Sequence, residues 1–312
     1  MRSPARTACL LLAVLAGPAG CAPAQPADPA PPPIRPQIST DAVDLATRSG
    51  TWPKTEQILE TALNRLTHEC MAAQGFDHPA RPGALLSVPE DEAAVIDLPR
   101  RRRYGYELAS AEPGRDGATG GPPGDPAYER LDRVERQRYD LAFFGPPGDT
   151  ATVDTPEGRH YRVPRRGCVA QSRQGLVGDV VLWARITYLP EGINNRLAAQ
   201  VPTAPSYVSA MAVWRSCMSA RGHHHDTPQA ARRSIKDELV ATGPTVVLRK
   251  REIAVAVADG ECAARAHLPS TALRVRREAV ASLPESDLRV LAELTIERNA
   301  ALAHAERITN GR

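Results

Sequence analysis

The chain has 312 residues, of which 42% are apolar and 24% charged, a composition typical of a globular protein with its own core. Its formal net charge of +3 excludes a nucleic-acid-binding protein that works through bulk positive charge. Aromatic residues make up only 4%, so we expect a core of Leu, Val, Ile and Ala, which favours helices over sheets.

The first residues have the features of an export signal. Two arginines form a positive n-region, and the apolar run that follows is too short to span a bilayer. This run ends at Ala19-Gly20-Cys21, which resembles the lipobox of bacterial lipoproteins, in which the cysteine is acylated, for example with palmitate, and becomes the new N-terminus. The sequence therefore predicts a signal peptide over residues 1–20 and a lipid anchor at Cys21, on the extracytoplasmic face of the cell membrane.

A second interpretation of this region remains open. Pro18 stands where a lipobox normally has Leu, and cleavage after Ala22-Pro23-Ala24 would discard Cys21 and release a secreted protein. In either case residues 22–36 are rich in Pro and Ala, which favours an extended stalk. We assign residues 21–50 to the anchor and this linker.

Helical periodicity begins after the linker. It predicts helices over residues 55–73, around 131–144, over 168–176 and 180–188, with Pro190 as an interruption, and then over 205–222, 228–241, 246–267 and 283–308. A small β-hairpin is expected near Tyr161 and Val163, where apolar and polar residues alternate. Residues 81–126 lack periodicity and include a basic run, Arg100 to Arg103, and a Gly-rich stretch at 114–124. We expect the basic run to be a solvated loop; the alternative is contact with anionic headgroups or wall polymers.

Two stretches repeat one pattern. Cys70-Met71 and Cys217-Met218 each lie in the last turn of a predicted helix, and Gly75 or Gly222 follows as its C-cap. Cys9 lies in the signal, so with Cys21 acylated four cysteines remain in the exported body, and an even number outside the cytosol predicts disulfides. Among the three possible pairings, the repeat favours Cys70–Cys168 and Cys217–Cys262. The predicted fold is mainly α: two disulfide-stapled helical repeats, residues 51–204 and 205–312, with a long irregular insertion in the first.

Several short motifs accompany the repeat. They are Cys70-Met71 with Gly75-Phe76, Arg103-Tyr104-Gly105, the run from Tyr139 to Gly145, Gly167-Cys168, the run from Trp214 to Gly222, the run from Val257 to Cys262, and Asn299 in a long C-terminal helix. In these motifs the chain resembles a family of exported lipoproteins of actinobacterial type with duplicated Cys-Met-x-x-x-Gly helical repeats. This resemblance implies an envelope protein and brings no established catalytic residues. It also implies one long C-terminal helix, in which Pro284 would place a kink or break.

The cluster His223-His224-His225-Asp226 is the candidate for a metal site. In an extended segment His223 and His225 point the same way, so they can chelate zinc, copper or nickel together with Asp226. His78 follows Gly75 as His225 follows Gly222, so the two loops can share an ion. The simpler interpretation is an exposed polar turn after a helix cap, and the sequence predicts no metal and no cofactor.

The common signatures of catalysis are mostly absent from the sequence. There is no Gly-x-Ser-x-Gly elbow, no Cys-x-x-Cys, and His68-Glu69 lacks the second histidine of a zinc-protease helix. We therefore expect a non-catalytic cell-surface lipoprotein that binds an envelope protein or a cell-wall polymer, with no nucleic-acid partner. The alternative is a ligand- or metal-binding lipoprotein accessory to an export or import transporter.

Overall fold

The computed structural model describes residues 38–83, 90–108 and 126–311. The predicted signal peptide, the lipidation site Cys21, the Pro/Ala-rich stretch 22–36 and the Gly-rich stretch 114–124 lie outside these residues. Among the helices that the structure describes, none combines the length and the apolar character needed to cross a membrane.

Helices dominate the described chain, and the prediction of a mainly helical fold with a small hairpin is confirmed. The two strands are antiparallel, with Ala151 opposite Val163. In chain order the elements are α1 (Thr40–Thr47), α2 (Trp52–Ala73), α3 (Glu90–Ala93), α4 (Leu98–Tyr104), α5 (Pro126–Glu129), α6 (Arg133–Phe144), β1 (Thr150–Asp154), β2 (His160–Pro164), α7 (Cys168–Val177), α8 (Val180–Gln200), a 3-10 turn (Val201–Thr203), α9 (Pro205–Ser219), α10 (Pro228–Thr242), α11 (Val246–Arg265), α12 (Leu268–Val280) and α13 (Glu285–Asn310).

The two sequence repeats share one compact unit. The C-terminal helix α13 packs along α2, and Leu59 and Ala62 lie in one apolar cluster with Ala301 and Ala305. A helix of the second repeat thus contributes to the core around the first, although each segment also has apolar clusters of its own. The helix α13 begins directly after Pro284 and is unbroken, because proline is tolerated where no backbone N–H is needed.

The linker assignment over 21–50 extends too far. Helix α1 belongs to the folded body, because Leu45 and Ala46 are buried in the core against helices α8 and α13. Ser39 caps this helix through its hydroxyl, which accepts the N–H of Ala42 at 3.2 Å. A helix of eight residues is marginal alone, so it depends on this packing, which its sequence does not reveal.

The interpretation of the basic run as a solvated loop is wrong. Arg101 and its neighbours form helix α4, with Asp97 at the N-cap accepting the N–H of Arg100 at 2.9 Å. The Arg101 side chain is only 14% exposed and pairs with Asp259 on α11. A contact between residues so far apart in the sequence leaves no periodic signal.

Pro190 does not interrupt α8, which is another correction. The helix continues through it to Gln200, and Pro190 is buried together with Ile186 and Ile193. A proline inside a helix loses one hydrogen bond, and burial of the surrounding apolar face compensates for this loss.

Candidate functional site

The two Cys-Met helix ends have the same geometry. After α2, Gly75 has a positive φ of 81°, and the N–H of Phe76 bonds to the carbonyl of Met71 at 3.0 Å. After α9, Gly222 has a φ of 78°, and the N–H of His223 bonds to the carbonyl of Met218 at 3.0 Å. This is a Schellman cap in both places, and it needs the left-handed conformation that glycine supplies.

Each cap lies beside a disulfide. The structure contains bridges Cys70–Cys168 and Cys217–Cys262, with Cα–Cα distances of 5.5 and 5.6 Å, and these are the pairs that the repeat predicts. The first bridge joins α2 to α7 and the second joins α9 to α11. Met71 and Met218 are both fully buried, and Cys70 and Cys217 are both bridged, so the Cys-Met pairs are architectural.

A polar cluster lies beside the second bridge. Asp259 is 1% exposed; its Oδ1 accepts the indole N–H of Trp214 at 2.9 Å, and its Oδ2 accepts from Arg101 at 2.8 Å and from the Tyr106 hydroxyl at 3.0 Å. Burial, followed by the charge of Asp259, raises the pKa of Tyr106. Trp214 is therefore core, as is Met211.

This cluster fixes the insertion of the first repeat onto the second. Arg101 also pairs with Glu90, and Glu252 on α11 accepts the backbone N–H of Leu108 at 2.8 Å. Asp259 and Glu90 thus share the positive charge of Arg101, and the two oxygens of Asp259 accept three donors. Buried charges of this kind hold a fold in register, so we assign the cluster a structural role.

A pocket of about 320 Å³ opens between α2 and α7, close to the first bridge. This volume suits a small molecule or one end of a larger one. Its wall combines apolar side chains with polar and basic ones. The lining residues are Leu63, Asn64, Thr67, His78, Pro79, Arg81, Phe143, Val169, Ser172 and Arg173.

Positive charge distinguishes this pocket. Arg173 and Arg81 line it, and no aspartate or glutamate does so among the residues that the structure describes. Arg81 is exposed at the pocket, whereas Arg173 is partly buried. Burial lowers the pKa of Arg173, and no carboxylate in the described segments forms an ion pair with it. A partly buried charge without a counter-ion is costly, and an anionic ligand would supply the missing partner.

Helix packing holds the pocket wall in place. The hydroxyl of Thr67 on α2 lies 2.7 Å from that of Ser172 on α7, and Ser172 in turn donates to the carbonyl of Cys168 at 2.6 Å. His78 is positioned by its Nδ1, which lies 2.7 Å from the Tyr139 hydroxyl. The disulfide and these hydrogen bonds preorganise the site, and preorganisation lowers the cost of binding.

The sequence interpretation missed this pocket, although one signal was available. On α7, Val169, Ser172, Arg173 and Leu176 follow the spacing of one helical face, so Arg173 stands on a face that also carries apolar residues. An arginine on such a face is a candidate for a paired or ligand-binding charge.

The candidate metal ligands do not come together. In the described part of the chain no group of three or more His, Cys, Asp and Glu side chains is arranged to hold a metal ion. His78 contacts Tyr139 and Phe143, whereas His225 lies near His223 and Arg251. The backbone carbonyl of Asp226 accepts from Arg215 at 3.0 Å. The structure therefore does not unite the two loops around one ion.

No family model, curated protein or solved structure matches this chain.

Proposed function

We propose that the protein is a non-catalytic, lipid-anchored binding protein of the cell surface, and that its ligand is a cell-wall component or partner protein that presents an anionic group. The observation that carries the binding role is the α2–α7 pocket, which offers Arg173 without a carboxylate partner in the described segments. The two disulfides support a location outside the cytosol, since such bonds persist in oxidising compartments.

The lipid anchor is the first part of the proposal to test. Cells that express the chain are labelled with an alkyne analogue of palmitate, and the wild type is compared with Cys21→Ala. We expect label and membrane association in the wild type and neither in the variant. If the protein is unlabelled and its N-terminus follows Ala24, it is a secreted protein and not a lipid-anchored one.

The binding role is tested by calorimetric titration with inorganic phosphate and with a soluble muropeptide, whose carboxylates provide a second anion. Arg173→Gln should weaken the binding of either probe about tenfold or more, because it removes a charge-assisted hydrogen bond. Arg289, an exposed arginine on α13, provides the matched control, and Arg289→Gln should leave the affinity unchanged. If Arg173→Gln and Arg289→Gln bind the probes with equal affinity, the pocket is not the binding site.

The pocket also supports the second candidate function, a ligand-binding lipoprotein accessory to a transporter. A volume of about 320 Å³ admits a small free anion as well as one end of a wall polymer. Crosslinking in intact membranes separates the two. Recovery of a transporter subunit favours the accessory role, whereas recovery of wall-synthesis proteins or wall fragments favours the first proposal.

A further inference from the structure

The turn between α10 and α11 exposes an apolar tip. Val240 is 80% exposed, Val246 73% and Val247 76%, and all three lie within a span of eight residues. Isolated exposed valines are common on protein surfaces, but three at the end of one helical hairpin form a patch.

Hydrogen bonds hold the tip in a defined conformation. The N–H of Gly243 bonds to the carbonyl of Leu239 at 2.9 Å and closes α10, and the Thr245 hydroxyl accepts the N–H of Leu248 at 3.1 Å and caps α11. The inner face of the hairpin is packed, since Ile235 and Leu248 are buried in one apolar cluster. The valines are therefore held outward by an ordered hairpin whose own core is complete.

Basic side chains surround the tip. Lys236 lies four residues before Val240 on α10, and Lys250 lies four residues after Val246 on α11, so each lysine shares a helical face with an exposed valine. The chain has only three lysines among its 39 basic residues, and two of them are here. Lysine stems are long and apolar, which allows the charged ends to reach lipid headgroups while valines enter the interface.

Arginines lie near the two lysines and add positive charge around the tip. Arg249 donates to the backbone carbonyls of Arg103 at 3.2 Å and Tyr104 at 2.9 Å, which places the exposed Arg103 beside the first turns of α11. The acidic residues in the adjoining turns of this hairpin are Asp237, Glu238 and Glu252; Glu238 pairs with Arg251 at 2.5 Å, and the buried Glu252 pairs with Arg249 at 3.6 Å. Positive charge therefore predominates around the valines.

From this combination we infer that the α10–α11 tip docks on an anionic lipid surface: the three valines enter the headgroup region while Lys236 and Lys250 contact phosphate groups. Apolar side chains beside a basic collar are the chemistry of peripheral membrane binding. A protein interface, by contrast, tends to be depleted of lysine in its core. The inference goes beyond the binding role of the pocket and is independent of acylation.

The test uses the chain with Cys21→Ser, so that no acyl group contributes. Sedimentation with vesicles of phosphatidylglycerol and phosphatidylcholine should capture this protein, and vesicles of phosphatidylcholine alone should not. Val240→Ser with Val246→Ser and Val247→Ser should reduce the partition coefficient about tenfold or more. Lys236→Gln and Lys250→Gln should each reduce it about fivefold, and added salt should have the same effect.

A matched control separates the tip from general surface hydrophobicity. Val208, Val213 and Ile296 are also exposed, and their combined substitution by serine should leave vesicle binding unchanged. Arg173→Gln should leave it unchanged as well, so a failure of the pocket proposal would not affect this result. Absence of binding to the anionic vesicles, or equal loss in the tip and control variants, would overturn the inference, as would a tip that crosslinks to a protein and not to lipid.

Discussion

Trp214 on α9 donates its indole N–H to Oδ1 of Asp259 on α11, at 2.9 Å, and both side chains are buried. The same carboxylate accepts from Arg101 of the insertion, so one aspartate joins three elements that are distant in the sequence. This relationship explains how the irregular insertion of the first repeat is attached to the second.

Loss of the Asp259 charge should destabilise the fold strongly. Asp259→Ala leaves the part-buried guanidinium of Arg101 with Glu90 and the carbonyl of Ala256 as partners, and it removes the acceptor of Trp214 and Tyr106. Removing one partner of a buried ion pair costs about 3–5 kcal/mol. Urea unfolding measures this loss. Asp237→Ala, at an exposed position on α10, provides the control and should change stability by less than about 0.5 kcal/mol. A similar, small effect at both positions would show that the cluster does not hold the insertion.

The two disulfides should contribute comparably to stability. Each bridge closes a long loop, of 98 residues for Cys70–Cys168 and 45 for Cys217–Cys262. Replacement of either pair by alanine should lower the free energy of unfolding by about 2–5 kcal/mol, because the unfolded chain regains entropy. Thermal unfolding of each double variant checks this. An unchanged melting temperature for either pair would contradict its role as a staple.

Gly167 should tolerate no side chain. Its φ of 89° favours glycine, and an added Cβ would lie 2.4 Å from the backbone nitrogen of Gly145. Gly167→Ala should therefore cost about 3 kcal/mol or more, from backbone strain together with overpacking. Gly222→Ala is the comparison, because its φ is also positive but nothing lies near the added Cβ. That change should cost only about 1 kcal/mol, and equal costs would rule out the close approach.

Protonation of His225 should weaken the fold. Burial, then the charges of His223 and Arg251, lowers the pKa of His225 in the folded state. The unfolded chain then binds more protons, so the free energy of unfolding should fall as pH drops below the ordinary histidine pKa of about 6.5. At higher pH the residue has no effect. NMR titration measures the pKa directly, and His225→Gln should remove this part of the pH dependence. A pKa at about 6.5 would remove this pH dependence, and a pKa above about 6.5 would reverse its sign.

We expect Arg173 to lower the stability of the unliganded protein while it contributes to ligand binding. Its guanidinium is partly buried without a carboxylate partner in the described segments, so Arg173→Leu should raise the free energy of unfolding by roughly 0.5–2 kcal/mol. The same change should abolish stabilisation by phosphate, which bound ligand otherwise provides through mass action. Melting curves with and without phosphate test both effects. A strongly destabilised variant would indicate that Arg173 stabilises the fold and does not serve to bind a ligand.

The sequence predicted the features that depend on local patterns. Gly75 and Gly222 mark helix ends because only a left-handed residue closes a Schellman cap, and the repeat then identified the partners of Cys70 and Cys217. What it could not predict depends on tertiary contacts. Arg101 is largely buried because it pairs with Asp259, which lies 158 residues further along the chain. A local sequence pattern cannot indicate such a pairing.

The candidate site was harder still to predict. Asn64 is an ordinary helical residue in the sequence, and Arg173 gives only the signal of a charge on a partly apolar helical face. The two residues line one pocket only because α2 and α7 pack together. The exposed tip between α10 and α11 was equally hard to predict from the sequence. Val246 and Val247 read as the apolar start of a helix, and only the packing of Leu248 shows that they are left in solvent.

We propose that the pocket beside Arg173 holds an anionic ligand. Native mass spectrometry of the protein purified from its own membranes is the decisive test, with the wild type compared against Arg173→Gln and Arg289→Gln. We predict a bound anionic species, carrying phosphate or carboxylate, in the wild type and in the Arg289 variant, and its loss from the Arg173 variant. An unliganded wild type that also fails to bind added phosphate or muropeptide, or a ligand retained equally by all three proteins, would contradict the claim.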